Sequence, residues 1–269
     1  MRTVLFVGGG NMARAIIGGL IHQGKAPSDI RVIEPDAQTR AALTGDFSVQ
    51  TQEEGSPLAH GVDLVVWAVK PQVLKSVMHG LAGMLADALH VSIAAGVTTA
   101  SIGQWLGSQR IVRAMPNTPA LIGKGITGVF AGDAVEAGDR QASETVLQAV
   151  GQVLWVEREA QLDAVTALSG SGPAYVFYFL EAMQQAGTQL GLTAEQAYQL
   201  AVATFEGASA LAAQSTEAPE VLRQRVTSKG GTTFAATTAL DALDVKPHFV
   251  AAMQACHDRA VEMAQEFGK

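Results

Sequence analysis

The chain opens on an apolar run, Thr3-Val4-Leu5-Phe6-Val7, that passes straight into Gly8-Gly9-Gly10-Asn11-Met12-Ala13 and then into a helix-period segment reaching about Leu20. Few sequences restrict a fold more. A strand that ends in G-x-G-x-x-A and restarts as a helix is the arrangement that lays a dinucleotide pyrophosphate on a helix N-terminus. In this reading Gly8 takes the tight turn, Gly10 lets the backbone approach the phosphates, and Ala13 is small enough for the helix to pack closely on the sheet. The free N–H groups near Asn11 and the positive end of the helix dipole hold the anion.

Composition sets the limits around that turn. With 269 residues, 48% hydrophobic and 16% charged, the chain has material for a large core and two domains. The longest apolar stretches, such as that from Val62 to Val69, are interrupted by charge or glycine well before the ~20 residues a bilayer span requires. Val4 to Val7 run directly into glycine with no basic leader, so no signal peptide and no membrane partner are expected, and the cytoplasm is the expected location. Eighteen Lys and Arg against 25 Asp and Glu give a net charge of −7. With no basic block, nucleic acid is not an expected partner. The one cysteine, Cys256, has only His257 beside it; it reads as a small buried residue of the last helix, and no metal site is expected.

Along residues 1–158, apolar β-like runs alternate with helix-period segments, which predicts an α/β domain with a doubly wound, mostly parallel sheet. Strands are expected near 3–7, 30–34, 62–68, 89–94, 110–114 and 152–156, with weaker signals near 47–50 and 125–131, and helices at 11–24, 71–86 and 135–150. After Trp155 the β-branched runs fade and Ala, Gln, Glu, Leu and Met take over. Residues 159–269 therefore read as an all-α domain with helices at 160–168, 173–190, 194–213, 218–226, 232–243 and 246–267. The breaks between them fall at Gly-Ser-Gly-Pro, Gly191-Leu192-Thr193, Ala218-Pro219 and Val245-Lys246-Pro247. Thr193 with Gln196 resembles a capping box. Helices this rich in small apolar residues and poor in charge point to self-association.

Ligands of such sheets bind at the carboxyl ends of the strands. The second strand ends in Glu34, which lies at the interval expected of a carboxylate that bonds the ribose 2′-hydroxyl of NAD and repels the 2′-phosphate of NADP. Arg31 and Arg40 are the nearby cations that would tolerate phosphate instead. Two further strand ends should line the same ligand. One is Ala68-Val69-Lys70-Pro71, where the proline also starts a helix. The other is Ala94-Ala95-Gly96, whose small residues leave room for a ring.

Three more segments gather glycine, proline, hydroxyl and amide residues: Arg113-Ala114-Met115-Pro116-Asn117-Thr118-Pro119, Ser169-Gly170-Ser171-Gly172-Pro173-Ala174-Tyr175 and Thr227-Ser228-Lys229-Gly230-Gly231-Thr232-Thr233. The last places glycines and hydroxyls at a helix start, a cradle for a small carboxylate.

Taken in order, Gly-x-Gly-Asn-Met-Ala, Val69-Lys70-Pro71, Ala94-Ala95-Gly96, Met115-Pro116-Asn117-Thr118-Pro119, Gly170-Ser171-Gly172-Pro173-Ala174-Tyr175 and Gly230-Gly231-Thr232-Thr233 resemble pyrroline-5-carboxylate reductases over essentially the whole chain. The resemblance implies reduction of Δ1-pyrroline-5-carboxylate to L-proline by hydride transfer from NADH or NADPH, the last step of proline biosynthesis. It implies a Rossmann domain followed by a helical domain that builds a homodimer or larger homo-oligomer, with substrate between the two domain types. By the same resemblance the cofactor would lie on Val7, Gly8, Gly9, Gly10, Asn11 and Met12, on Glu34, on Ala68, Val69, Lys70 and Pro71, and on Ala94, Ala95 and Gly96. Gly230, Gly231, Thr232 and Thr233 would hold substrate. Thr233 and Ser228 are the candidate catalytic hydroxyls, with Thr233 donating to the imine nitrogen and the N–H groups of Gly231 and Thr232 holding the carboxylate. Two residues depart from the family habit. Lys229 stands where many members have proline, and Glu34 where many have a small polar residue and accept NADPH; residue chemistry here favours NADH.

Two other readings share the architecture. One is a β-hydroxyacid dehydrogenase or imine reductase; the hydroxyacid enzymes need a basic lysine on a long central helix, and Ala174 to Ala186 contains none. A nucleotide sensor without catalysis would have no use for the intact glycine-hydroxyl turns.

Overall fold

The computed structural model describes residues 3–54 and 57–267. Eight strands form one sheet: β1 (Val4–Val7), β2 (Ile30–Ile33), β3 (Gln50–Gln52), β4 (Leu64–Trp67), β5 (Leu89–Ser92), β6 (Ile111–Met115), β7 (Gly125–Ala131) and β8 (Gly151–Trp155). Their spatial order is β3-β2-β1-β4-β5-β6-β7-β8. Every pairing is parallel except β6 with β7. That exception follows from the short link at 116–124, which is too brief for a parallel crossover and instead holds a 3₁₀ turn, Thr118–Ile122.

The helices of this part are α1 (Asn11–His22), α2 (Ala37–Phe47), α3 (Pro71–Leu81), α4 (Thr99–Leu106), α5 (Ala137–Leu147) and α6 (Gln161–Val165). They cover both faces of the sheet. Val4 and Phe6 of β1 enter one apolar cluster with Ile16, Ile17 and Leu20 of α1. Leu5 and Val7 enter the other with Leu74 and Met78 of α3. A strand buried on both faces reads as a continuous apolar run, which is why β1 and β4 were legible.

Several expected boundaries move. The strand near 47–50 lies at 50–52, at the sheet edge, and its Gln-Thr-Gln sequence carries no apolar signal. The helices α2 and α4 fall in segments between strands that read as helix-period only in general, with no bounds assigned. In α2 only Leu43 is buried, so its apolar positions trace no stripe. Its start is set instead by Asp36, whose carboxylate caps Thr39 N–H at 2.7 Å. The expected helix at 135–150 is α5 plus a 3₁₀ turn, Gln148–Val150.

The remaining helices are α7 (Gly172–Gln189), α8 (Ala194–Gln214), α9 (Pro219–Arg225), α10 (Thr232–Ala242) and α11 (Val245–Phe267). The break expected at Gly-Ser-Gly-Pro falls at Ser171, between a π-helical turn, Thr166–Gly170, that continues α6 and the start of α7. The break expected at Val245-Lys246-Pro247 lies one residue earlier, at Asp244, which takes the left-handed conformation with φ 51. Pro247 sits in the first turn of α11, where its missing N–H costs no helical bond. Thr193 and Gln196 do form a capping box, with both reciprocal bonds present.

By compactness the chain forms two units. One runs to Ser171 and takes in the C-terminal part of α11 from Cys256; the other is residues 172–255. The division expected from sequence texture, 158/159, lies earlier. In the second unit α7 packs against α8, with Gly187 facing Ala197 so closely that an added Cβ would lie 2.7 Å from the alanine's. Only Leu180, Ala197 and Ala201 are buried there, while Phe177, Tyr178, Tyr198 and Leu211 are exposed.

Candidate functional site

The first unit places its glycine turn where the strand order reverses, between β1 and β4. Gly8 has φ +98, and a Cβ on it would lie 2.6 Å from the Ala68 carbonyl oxygen. Only glycine fits. Its N–H donates to Ile33 O at 2.8 Å, and Ala68 N–H donates to Val7 O at 2.8 Å, so the ends of β1, β2 and β4 are tied around the turn. Gly10 is the N-cap of α1 with no side-chain cap, and a Cβ there would meet nothing within 4 Å. The backbone is therefore open from Gly10 through Asn11, whose first-turn N–H groups, with that of Met12, have no acceptor inside the helix. Ala13 is 1% exposed under the sheet, as its smallness requires.

Glu34 is fixed to the same turn. Its Oε2 accepts from Gly9 N–H at 2.7 Å and its Oε1 from Asp36 N–H at 2.9 Å. A groove of 780 Å³ runs from Gly8 past Ile33 and Pro35 to Val69, Val73 and Val77 of the α3 side, with Glu53 and Glu54 on its wall. Asp36 lies below the usual carboxylate range because the Thr39 hydroxyl and N–H donate to it. These features fit a dinucleotide: an uncapped helix start without side-chain cover for the pyrophosphate, and a largely apolar groove for a flat base. Lys70, exposed, is the residue before α3, and Pro71 is its first residue.

Gly96 turns with φ +72 beneath Met263, whose Cβ an added Cβ would approach to 3.0 Å. Sequence gave no signal that the end of α11 backs the turn at 94–96. Nor did it single out Glu159. Its carboxylate accepts from Thr99 N–H at 2.6 Å, Thr99 Oγ1 at 2.9 Å and Arg113 Nη1 at 2.8 Å, joining the start of α4 to β6. Asn117, from one of the motif segments, receives Ile126 N–H on Oδ1 at 3.0 Å and donates to Ser169 O at 3.1 Å, holding the π turn. Cys256 is half-buried, with Sγ 3.2 Å from Ser171 Oγ. Among the described residues no group of three or more His, Cys, Asp or Glu is gathered as for a metal.

In the second unit the segment 228–233 forms the start of α10. Gly230 has φ +76. Gly231 N–H donates to Ser228 O at 3.0 Å, so the amide expected to hold a carboxylate is taken up inside the turn. A Cβ on Gly231 would lie 2.6 Å from Ser228 Oγ. Gly231 caps α10 with no side-chain cap bond. The first-turn amides of Thr232, Thr233 and Phe234 have no acceptor inside the helix, and the Thr232 and Thr233 side chains are exposed, as are Ser228 and Lys229. The two cradles are thus built alike, each a glycine turn opening onto an uncapped helix.

Residues 159–263 match the family model "Pyrroline-5-carboxylate reductase dimerisation", and residues 3–96 match "NADP oxidoreductase coenzyme F420-dependent". Over 268 residues the chain is 43% identical to the pyrroline-5-carboxylate reductase of Pseudomonas aeruginosa, covering 99% of this chain and 98% of that one. This chain belongs to the pyrroline-5-carboxylate reductase family. A solved member from Coxiella burnetii superposes with a TM-score of 0.93 at 41% identity, over 98% of each chain. The Plasmodium falciparum enzyme, solved with NADP bound, superposes with 0.87 at 26% identity, also over 98% of each. The family decides against the hydroxyacid dehydrogenase reading. Among the described residues no helix is long and apolar enough to cross a membrane.

Proposed function

We propose that this chain reduces Δ1-pyrroline-5-carboxylate to L-proline, the last step of proline biosynthesis, as an NAD(P)H-dependent oxidoreductase and a homodimer or larger homo-oligomer. The observation that carries the reading is the full-length identity to family members together with both uncapped glycine cradles being intact.

Gly10, Asn11 and Met12 hold the pyrophosphate through backbone N–H groups; Val7, Gly8 and Gly9 shape the turn. Ala68, Val69, Lys70 and Pro71 flank it, and Ala94, Ala95 and Gly96 leave space for the nicotinamide ring. The reduced dinucleotide, when bound, supplies the hydride. The substrate carboxylate is held by Thr232 and Thr233 N–H at the positive end of α10, with Gly230 and Gly231 giving the backbone its close approach. As hydride reaches the carbon of the protonated cyclic imine, the ring nitrogen loses its charge and gains a lone pair; the Thr233 hydroxyl donates a hydrogen bond to that lone pair, and Ser228 supplies a second hydroxyl at the turn.

For domain roles the division at 158/159 serves best, with nucleotide binding in 1–158 and substrate binding and dimerisation in 159–269. The same reading places the enzyme in the cytoplasm, where the reduced nicotinamide pool is kept. Oxidation of NADH and NADPH followed at 340 nm with the cyclic imine tests the function. Turnover with either dinucleotide is expected, and none with both would favour the nucleotide-sensor reading.

A further inference from the structure

We infer that the end of β2 makes this enzyme select NADH over NADPH, with Glu34 as the specificity-determining residue. The inference rests on the dinucleotide lying along the turn at 8–12, as proposed above. A pyrophosphate held there carries the adenosine ribose past the end of β2.

Glu34 is not a carboxylate that can step aside. Two backbone amides, Gly9 N–H at 2.7 Å and Asp36 N–H at 2.9 Å, hold its two oxygens, one each. Turning it away would break two charge-assisted bonds. A 2′-hydroxyl donates to a carboxylate fixed in this way, whereas a 2′-phosphate brings a near-dianion against it.

The two cations that would compensate are already engaged, Arg40 by carbonyls and a carboxylate at this same strand end. Arg31 Nη1 donates to Leu58 O at 3.0 Å and His60 O at 2.8 Å. Arg40 Nη1 donates to Glu34 O and Pro35 O, both at 2.7 Å, and its Nη2 donates to the Glu53 carboxylate at 3.2 Å. Glu53 and Glu54 add negative charge along the groove wall. The cleft is therefore built for an uncharged ribose edge.

Binding of two fragments, ADP-ribose and its 2′-phosphorylated form, measured by calorimetry at physiological salt separates this inference from the catalytic reading, because neither needs the imine. The wild-type protein is expected to bind ADP-ribose tighter by about tenfold or more. In Glu34→Gln, which keeps an acceptor for Gly9 N–H but removes the charge, and in Glu34→Ser, that ratio falls by about tenfold, chiefly through tighter binding of the phosphorylated fragment. The NADH-to-NADPH ratio of kcat/KM should move in parallel. Equal or tighter wild-type binding of the phosphorylated fragment overturns the inference, as does an unchanged ratio in a folded Glu34→Gln protein. If neither fragment binds, the nucleotide site itself is wrong and the inference falls with it.

Discussion

The Glu159 carboxylate receives the Arg113 guanidinium at 2.8 Å with the arginine side chain only 8% exposed and the glutamate 25%. The pair ties β6 to the segment that enters α4, because the same carboxylate takes Thr99 N–H and Oγ1. Removing one partner leaves a buried charge uncompensated, which costs more than the pair itself contributes. Glu159→Ala should therefore lower the stability to urea by about 3 kcal/mol. The double variant Arg113→Met, Glu159→Leu should lose clearly less than Glu159→Ala alone. A double variant as unstable as the single one would mean that packing, not the uncompensated charge, sets the cost.

His90 gives the sheet a pH dependence. Buried in β5, it accepts a hydrogen bond on Nδ1 from Trp67 Nε1 at 3.2 Å. Burial, helped by the positive charge of Arg110, lowers its pKa from 6.5 to about 4. Because the unfolded chain takes up the proton first, stability is fully present above about pH 6.5 and falls as pH drops toward 4, by about 3 kcal/mol in all. His90→Asn keeps an acceptor for Trp67 and cannot titrate. Its urea midpoint should be lower at pH 7 but should change less between pH 7 and 4.5 than that of the wild type.

Gly8 and Gly10 should separate folding from binding. Gly8→Ala forces a Cβ to within 2.6 Å of a carbonyl oxygen at φ +98 and should cost about 2 kcal/mol or more. Gly10→Ala meets nothing in the protein, so stability should change by about 1 kcal/mol or less. The added methyl would nonetheless stand on the open backbone, and ADP-ribose affinity should drop at least tenfold. Unimpaired binding by Gly10→Ala would remove the pyrophosphate from this turn.

The same contrast marks what could be read in advance. The strands β1 and β4 were legible because both faces are buried and their runs are continuously apolar. The edge strand β3 and helix α2 were not, since Gln50-Thr51-Gln52 and the single buried Leu43 leave no periodic trace. The glycine turns announced themselves by composition. Glu159 did not, because a carboxylate that gathers Thr99 and Arg113 does so across 60 and 46 residues, and no local pattern encodes such a distance. Gly231 shows the opposite limit: the motif was plain, but that its N–H turns inward to Ser228 O depends on the φ of +76 at Gly230.

Residues 172–255 bury only Leu180, Ala197 and Ala201, too little apolar surface to hold several helices together without help. A partner subunit supplies the missing burial. Tyr178, 68% exposed on α7, and Phe177, 59% exposed, stand ready for it. Sedimentation at micromolar concentration should give a dimer or larger, and Phe177→Asp or Tyr178→Glu should lower the mass and the helical signal together. A wild-type monomer would contradict the assignment.

Thr233 carries the chemical step in the proposal, and its substitution distinguishes donation to the ring nitrogen from simple packing. Thr233→Val keeps the shape and the backbone amide at the second position of α10 while deleting the hydroxyl. If the hydroxyl supports the nitrogen as charge leaves it, the loss falls on turnover, by about 10- to 1000-fold, with dinucleotide binding intact. Thr233→Ser should restore most of the activity because it returns the donor without the methyl. Thr232→Val, which leaves the first-turn amides in place, should alter KM more than kcat. Near-wild-type turnover in Thr233→Val would transfer the role to another donor, with Ser228 next in line at the same turn.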